Sequence, residues 1–277
     1  AGRELMRTAV LIGVDPPPRS VEGGRARLVA PDYLHGPRTV TDHGNAEAAE
    51  EAGPENLLAE GVAPERIHVT GNTGVDALHH VLRERGLAVP SPRRPRGRVL
   101  VSLHRRETLG APLRAIFEEI RGLAMDHPEV RFTGPIHPNP ALVDIATRVV
   151  GESPLPNLDL CAPLKYREFV TLLVGTDFLM TDSGGLQEEA PILGVPVLVL
   201  RQRSDRGEAV DAGNAQVVGL EPAAIRAAAE ELLAGGASWR ERTRISSPFG
   251  DGRAAARICE HLCRILDVGD GPPSRRA

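Results

Sequence analysis

Lysine is almost absent from this chain: among 277 residues Lys165 is the sole example, and arginine carries the rest of the basic charge. With abundant Ala, Gly and Pro, that bias points to a GC-rich coding sequence and says nothing of mechanism. Cysteine is scarce as well. Cys161, Cys259 and Cys263 cannot form a paired framework and none has CxxC spacing, so a reducing compartment is expected. Cys259 and Cys263 lie one helical turn apart, which suits buried thiols better than metal ligands. Positive charge is not in excess either: 37 acidic residues against 33 basic ones leave a net charge of -4. No global field would hold the chain on a phosphate backbone, so nucleic acid is not an expected partner. Long apolar runs are missing, and Ala1 to Val10 lack the apolar core of a signal peptide. The expectation is a soluble cytoplasmic protein that does not engage a membrane.

What the chain does have is enough material to fold. At roughly 100–200 residues per domain it can make two modest domains or one large one, which excludes a peptide or a disulfide-held mini-protein. Hydrophobic residues reach 41%, and 29 Gly with 24 Pro stay below the level that signals disorder, so most of the chain should bury a core.

The chain has three textures. Residues 1–50 mix Pro and Gly with scattered apolar residues, and only Thr8 to Val14 (TAVLIGV) reads as a buried strand. From about residue 55 the pattern is regular: a short helical piece at Asn56 to Glu60, a strand at Arg66 to Thr70, then a helix at Val75 to Arg85. A Pro/Arg-rich linker, Val89 to Gly97, marks a domain boundary. Beyond it, strands at 98–103, 130–133, 158–160, 177–181, 196–200 and 216–218 alternate with helices at 111–125, 140–149, 166–174, 185–193, 222–233 and 253–266. Apolar strands alternating with helices predict a doubly wound α/β domain, its parallel sheet covered on both faces. The tail from Val268 is polar, and there is no internal repeat.

In such a sheet ligands bind beyond the carboxyl ends of the strands. Four polar clusters follow predicted strands. His104-Arg105-Arg106-Glu107 could meet an anion, and a solvated helix-capping cluster explains it equally well. His137 projects from the rigid loop Gly134 to Pro140, which could also be a purely structural turn. The cluster Thr181 to Glu189 is the strongest: Gly184 and Gly185 let backbone approach a ligand, and the N–H groups of the following turn favour phosphate. Its bland alternative is Asp182 or Ser183 as an ordinary N-cap. Glu189, deeper in that helix, could grip two sugar hydroxyls. Arg201, Arg203 and Arg206 beside the turn would neutralise a diphosphate. Together the clusters favour a diphosphate-containing nucleotide over metal or thiol chemistry.

The series HRRETLG, IHPNP, TDSGGLQEEAPILGVPVLVLR, DRGEAVDAGN and SPFGDGRA, with ENLLAEGVAPERIHVTGNTGVDAL upstream, closely resembles the non-hydrolysing bacterial UDP-N-acetylglucosamine 2-epimerases. The likeness runs from about residue 54 to 266 in the family's order, and TDSGG-QEEAP is its most specific part. It implies two Rossmann-like domains of the GT-B type with substrate between them. It also implies interconversion of UDP-N-acetylglucosamine and UDP-N-acetylmannosamine with no metal or other cofactor, UDP being eliminated and then added back with C2 inverted. By that resemblance His104 is catalytic and touches the diphosphate, Ser183, Gly184 and Gly185 form the phosphate turn, and Glu189 holds the ribose. Arg206 then contacts the diphosphate, Phe169 lies beside the uracil, and His137 is a further binding histidine.

Domains follow from the same likeness: residues 1–92 as a remnant of the first Rossmann-like domain with its linker, 93–252 as the complete UDP-binding domain, 253–267 as a helix crossing back, and 268–277 as a flexible tail. Leu164 replaces the glutamine with which many relatives read uracil, leaving backbone to do so. The family's acid/base carboxylates, in motifs resembling HGDT, HVEAG and PEE-NR, have no counterpart in residues 1–50, and neither Asp42 nor Glu47 can be assigned that role. A natural truncation, a reading-frame disruption or a repurposed protein would each account for this. Two further readings stay open, a non-catalytic UDP-binding module and a GT-B glycosyltransferase. A domain that normally packs on a partner should also favour a homodimer or higher oligomer.

Overall fold

The computed structural model describes residues 9–11, 64, 67–89, 95–105, 108–151 and 154–265. Most of the segment 1–92, the expected helical piece at 56–60, Asp42, Glu47, Arg106, Glu107 and the tail 268–277 lie outside the described residues. The chain divides into two compact units, residues 1–79 with 248–277 and residues 80–247.

In the first unit, strand β1 (Ala9–Leu11) pairs antiparallel with β2 (Ile67–Val69), Val10 opposite His68. Helix α1 (Thr73–Glu84) follows β2, and the division between the units falls within it. Asp76 in its first turn accepts the backbone N–H groups of Ala254 at 3.1 Å and Ala255 at 3.0 Å, satisfying the start of the last helix, Ala254–Ile265. The GNTGVDAL and SPFGDGRA motifs are therefore partners. Arg257 clamps Asp251 with two bonds of 2.7 and 2.6 Å and donates to the carbonyl of Thr70.

The second unit is built on six parallel strands: β3 (Arg98–Ser102), β4 (Arg131–Pro135), β5 (Leu158–Cys161), β6 (Phe178–Thr181), β7 (Val197–Val199) and β8 (Ala215–Val217). Their spatial order is β5-β4-β3-β6-β7-β8. The most apolar runs, FLMT and VLV, are buried throughout because both sheet faces are covered, whereas the edge strands carry Asp159 and Gln216. Between the strands run α2 (Ala111–Asp126), α3 (Pro140–Gly151), α4 (Tyr166–Val174), α5 (Gly184–Glu189) and α6 (Gly207–Asp211); α7 (Pro222–Leu233) and α8 (Ala237–Arg242) follow β8, and α9 (Ala254–Ile265) belongs to the first unit.

Helix α2 buries Leu113, Ile116, Phe117, Ile120, Leu123 and Ala124, the three-and-four spacing of one helical face, in a core shared with Val99, Phe132, Phe178 and Ile225 of α7. Truncating Phe117 to alanine would cost about 3–5 kcal/mol. Trp239 of α8, buried, donates Nε1–H to the carbonyl of Asp177 at 3.1 Å, fixing that helix beneath β6.

The strands and long helices fall where apolar pattern places them, with one correction. The helix expected over 185–193 ends at Glu189, and a separate 3-10 turn spans Pro191–Leu193. Pro191 has no N–H to continue the ladder, and Gly194, at φ 61°, closes the turn in the left-handed conformation. Helices α6 and α8, five and six residues long, are too short to show a period in the sequence. Among the described residues no helix is long and apolar enough to cross a membrane.

Candidate functional site

The strand order reverses between β3 and β6: the chain grows outward through β4 and β5 on one side and through β7 and β8 on the other. In open α/β sheets such a reversal is where a ligand crevice forms, here at the carboxyl ends of the two central strands. Ser102 of β3 pairs with Thr181 of β6, so His104 and Ser183 each stand two residues beyond the last paired position.

Asp182 ties the two loops together. Wholly buried, it accepts the backbone N–H of His104 at 3.1 and 3.2 Å on its two oxygens, the N–H of Arg105 at 3.0 Å and the hydroxyl of Thr108 at 3.3 Å. The His104 imidazole Nδ1 lies 3.5 Å from Oδ1 of the same carboxylate. Burial lowers the pKa of His104, with Arg105 and His137 acting in the same sense and Asp182 against it. His137, from the loop after β4, stacks on it with ring centroids 6.2 Å apart.

Ser183 occupies the N-cap position of α5, yet its side chain makes no capping bond, and Asp182 is turned to the other loop. Neither serves as the ordinary N-cap. A Cβ at Gly184 would lie 3.3 Å from Nη2 of Arg206 and 3.5 Å from Nη2 of Arg105, so two guanidiniums converge on this one glycine. Gly185 differs: it is exposed, and a Cβ there would meet nothing within 4 Å.

The arginines after β7 are not an uncompensated positive patch. Buried Arg206 donates Nε–H to Glu188 and Nη1–H to the carbonyl of Asp205 at 2.9 Å. Asp205 lies 2.7 Å from Arg201, 3.5 Å from Arg105 and 3.7 Å from Arg206. Burial pushes the Asp205 carboxyl up, but the charges of Arg206, Arg201 and Arg105 outweigh it and hold the group below the usual range. Arg203 is at the surface. A polar relay joins this loop to the glycine turn: Arg206 N–H donates to Ser204 at 3.0 Å, Ser204 to Gln187 at 2.5 Å, and Gln187 to the carbonyl of Ser183 at 3.1 Å.

At the far end of α5, Glu189 Oε1 accepts the Tyr166 hydroxyl at 2.9 Å, and Oε2 is buried with no hydrogen-bond partner. Burial pushes the carboxyl up to about 7; the Tyr166 bond opposes the rise and Glu188 adds to it. Tyr166 itself is raised, by burial first and by the Glu189 charge second. Half-buried Phe169 follows Tyr166 by three residues on α4, which puts both on one helical face.

The family model for UDP-N-acetylglucosamine 2-epimerase matches residues 39–263. The chain belongs to the UDP-N-acetylglucosamine 2-epimerase family. A relative of that name from Bacillus subtilis (strain 168) is 37% identical over 210 residues, 75% of this chain and 54% of its own length. The Escherichia coli (strain K12) relative is 37% identical over 222 residues, 76% of this chain and 58% of its own. The solved UDP-GlcNAc 2-epimerase from Neisseria meningitidis bound to UDP-GlcNAc superposes with a TM-score of 0.71 at 33% identity, covering 78% of this chain and 60% of that one. The S. aureus MnaA co-structure with UDP gives 0.70 at 32% identity, covering 83% and 61%. The chain thus spans little more than half the length of the curated relatives above, 54% and 58%. The fold is α/β, with a Rossmann-like parallel sheet of the GT-B type.

In this epimerase-family chain the crevice gathers His104, His137, Ser183, Gly184 and Arg206, and Glu189 with Phe169 marks the opposite end of α5. The sequence reading missed Asp182 as an anchor, Tyr166 as the partner of Glu189, and the Gln187–Ser204 relay. Only Tyr166 left a trace in the sequence, by sharing a helical face with Phe169.

Proposed function

We propose that the crevice at the ends of β3 and β6 holds the UDP part of a UDP-hexosamine. The diphosphate lies against the turn Ser183-Gly184-Gly185, between Arg206 and Arg105 and beside His104 and His137. The ribose hydroxyls reach Glu189, and the uracil lies beside Phe169 with backbone near Leu164 reading its edge. The observation that carries this reading is the convergence of two guanidiniums on Gly184 at the strand-order switch point. Residues 93–252 are the nucleotide-holding domain in this reading. The reaction it serves is the interconversion of UDP-N-acetylglucosamine and UDP-N-acetylmannosamine. A proton leaves C2 as the C1–O bond to UDP breaks, and both return with C2 inverted. In this reading His104, whose loop Asp182 holds at the end of β3, meets the leaving diphosphate.

A second reading, a UDP-binding module without turnover, is favoured by how the local carboxylates are spent. Asp182 holds the His104 loop, Glu188 holds Arg206, and Asp205 is shared among three arginines. One measurement tests both readings and a second separates them. Heat on titrating UDP is expected under both, and its absence would sink both. Incubation with UDP-N-acetylglucosamine in heavy water should place deuterium at C2 if the chain is an epimerase and leave C2 unlabelled if it only binds. Light scattering should find a homodimer or larger oligomer at micromolar concentration; a monodisperse monomer contradicts that part.

A further inference from the structure

Glutamate has three side-chain torsions, so a carboxylate meant to meet sugar hydroxyls has to be held. Here the hold is visible. The Tyr166 hydroxyl, on α4, donates to Oε1 of Glu189, on α5, at 2.9 Å, while Oε2 is buried and unpartnered. A buried acceptor without a donor is costly, and a ligand hydroxyl arriving at Oε2 would relieve that cost.

Resting on the UDP reading above, we infer that Tyr166 is the positioning residue of Glu189, fixing Oε1 so that Oε2 is presented to a ribose hydroxyl. Among the described residues two ionisable groups act on this carboxyl: Tyr166 from α4, and Glu188 from its own helix, which Arg206 engages. Donation from Tyr166 favours the ionised carboxylate, the form that accepts a ligand hydroxyl. Tyr166→Phe therefore loosens the carboxylate and moves its protonation to higher pH.

The test is calorimetric titration of wild type and Tyr166→Phe with UDP and with 2′,3′-dideoxy-UDP between pH 6 and 9. The variant should lose about tenfold in UDP affinity at pH 7, the worth of one hydrogen bond to a charged group. Its affinity profile should be displaced toward higher pH relative to wild type. Both proteins meet the same titration of the terminal phosphate, so the displacement reports Glu189. Dideoxy-UDP, which offers no ribose hydroxyl, should bind the two proteins equally. Unchanged UDP affinity, or equal losses for both nucleotides, overturns the role of Tyr166 while leaving the UDP site standing. No binding of UDP by wild type overturns the UDP site and this inference with it.

Discussion

The buried carboxylate of Asp182 accepts the backbone N–H of His104 across 78 residues of sequence, fastening the loop after β3 to the end of β6. It also takes the N–H of Arg105 and the hydroxyl of Thr108. Asp182→Asn puts an amide donor against these donors, so about 2–3 kcal/mol of stability should be lost along with most UDP affinity. Urea denaturation and calorimetry on the same preparation check both. Wild-type values for each would show that the loop is held by something else.

The two glycines should separate on mutation. Gly184→Ala brings a methyl to 3.3 Å from the Arg206 guanidinium and should weaken UDP binding and stability together, by about 1 kcal/mol for stability. Gly185→Ala meets nothing in the ligand-free protein and lies in a helix, so stability should hold or rise by up to about 1 kcal/mol. UDP affinity should nonetheless fall at least tenfold, because a ligand alone would need that space. Full binding by Gly185→Ala would mean that the diphosphate does not approach this backbone.

Glu189 should make the ligand-free protein pay in stability for its readiness to bind. Its folded value of about 7 lies above the ordinary 4.5, so between these limits the folded state keeps a proton that the unfolded state has released. Stability therefore falls as pH rises through that window. Glu189→Gln should be more stable than wild type at pH 8 by about 1–2 kcal/mol and close to it at pH 4, below both values. The amide nitrogen inherits the unpartnered position, which keeps the gain below the full shift. Thermal melts at the two pH values decide; an equal gain at both would remove ionisation as the cause.

His127 gives the opposite sign. The Glu230 carboxylate, 2.9 Å from Nε2, raises its pKa by hydrogen bonding, with Glu129 adding to the effect and burial opposing it. The stabilisation is complete below 6.5, the ordinary value, and is lost as pH climbs through the raised one. His127→Gln should cost about 0.5 kcal/mol at pH 6 and less at pH 9, a small effect because the pair is solvent-screened. Denaturation midpoints at the two pH values would show it, and an equal cost at both would assign the loss to packing.

The sheet was legible in the sequence because β3, β6 and β7 are apolar runs too short for helices, and the long helices because their buried faces repeat every three or four residues. Strand-end placement then picked out His104, Gly184 and Arg206 without knowledge of pairing. Asp182 was not legible as an anchor. Its partners lie 77 and 78 residues away and are reached only because β3 and β6 are neighbours in register. Nor was the charge balance of the arginine loop, since the carboxylates that meet Arg206 come from α5 and from the residue just before it. Pro191 was in plain view, and its interruption of the helix could have been read.

With Ser102 facing Thr181, β3 and β6 act as a ruler that brings the two loops beyond them out level with each other. A slip of one residue on either strand would reverse which side chains face inward and outward along it, sending Asp182 or His104 to the wrong side of the sheet. Tolerance to change should therefore be graded. The tips of the loops can change, while the two short strands beneath them have to keep their count.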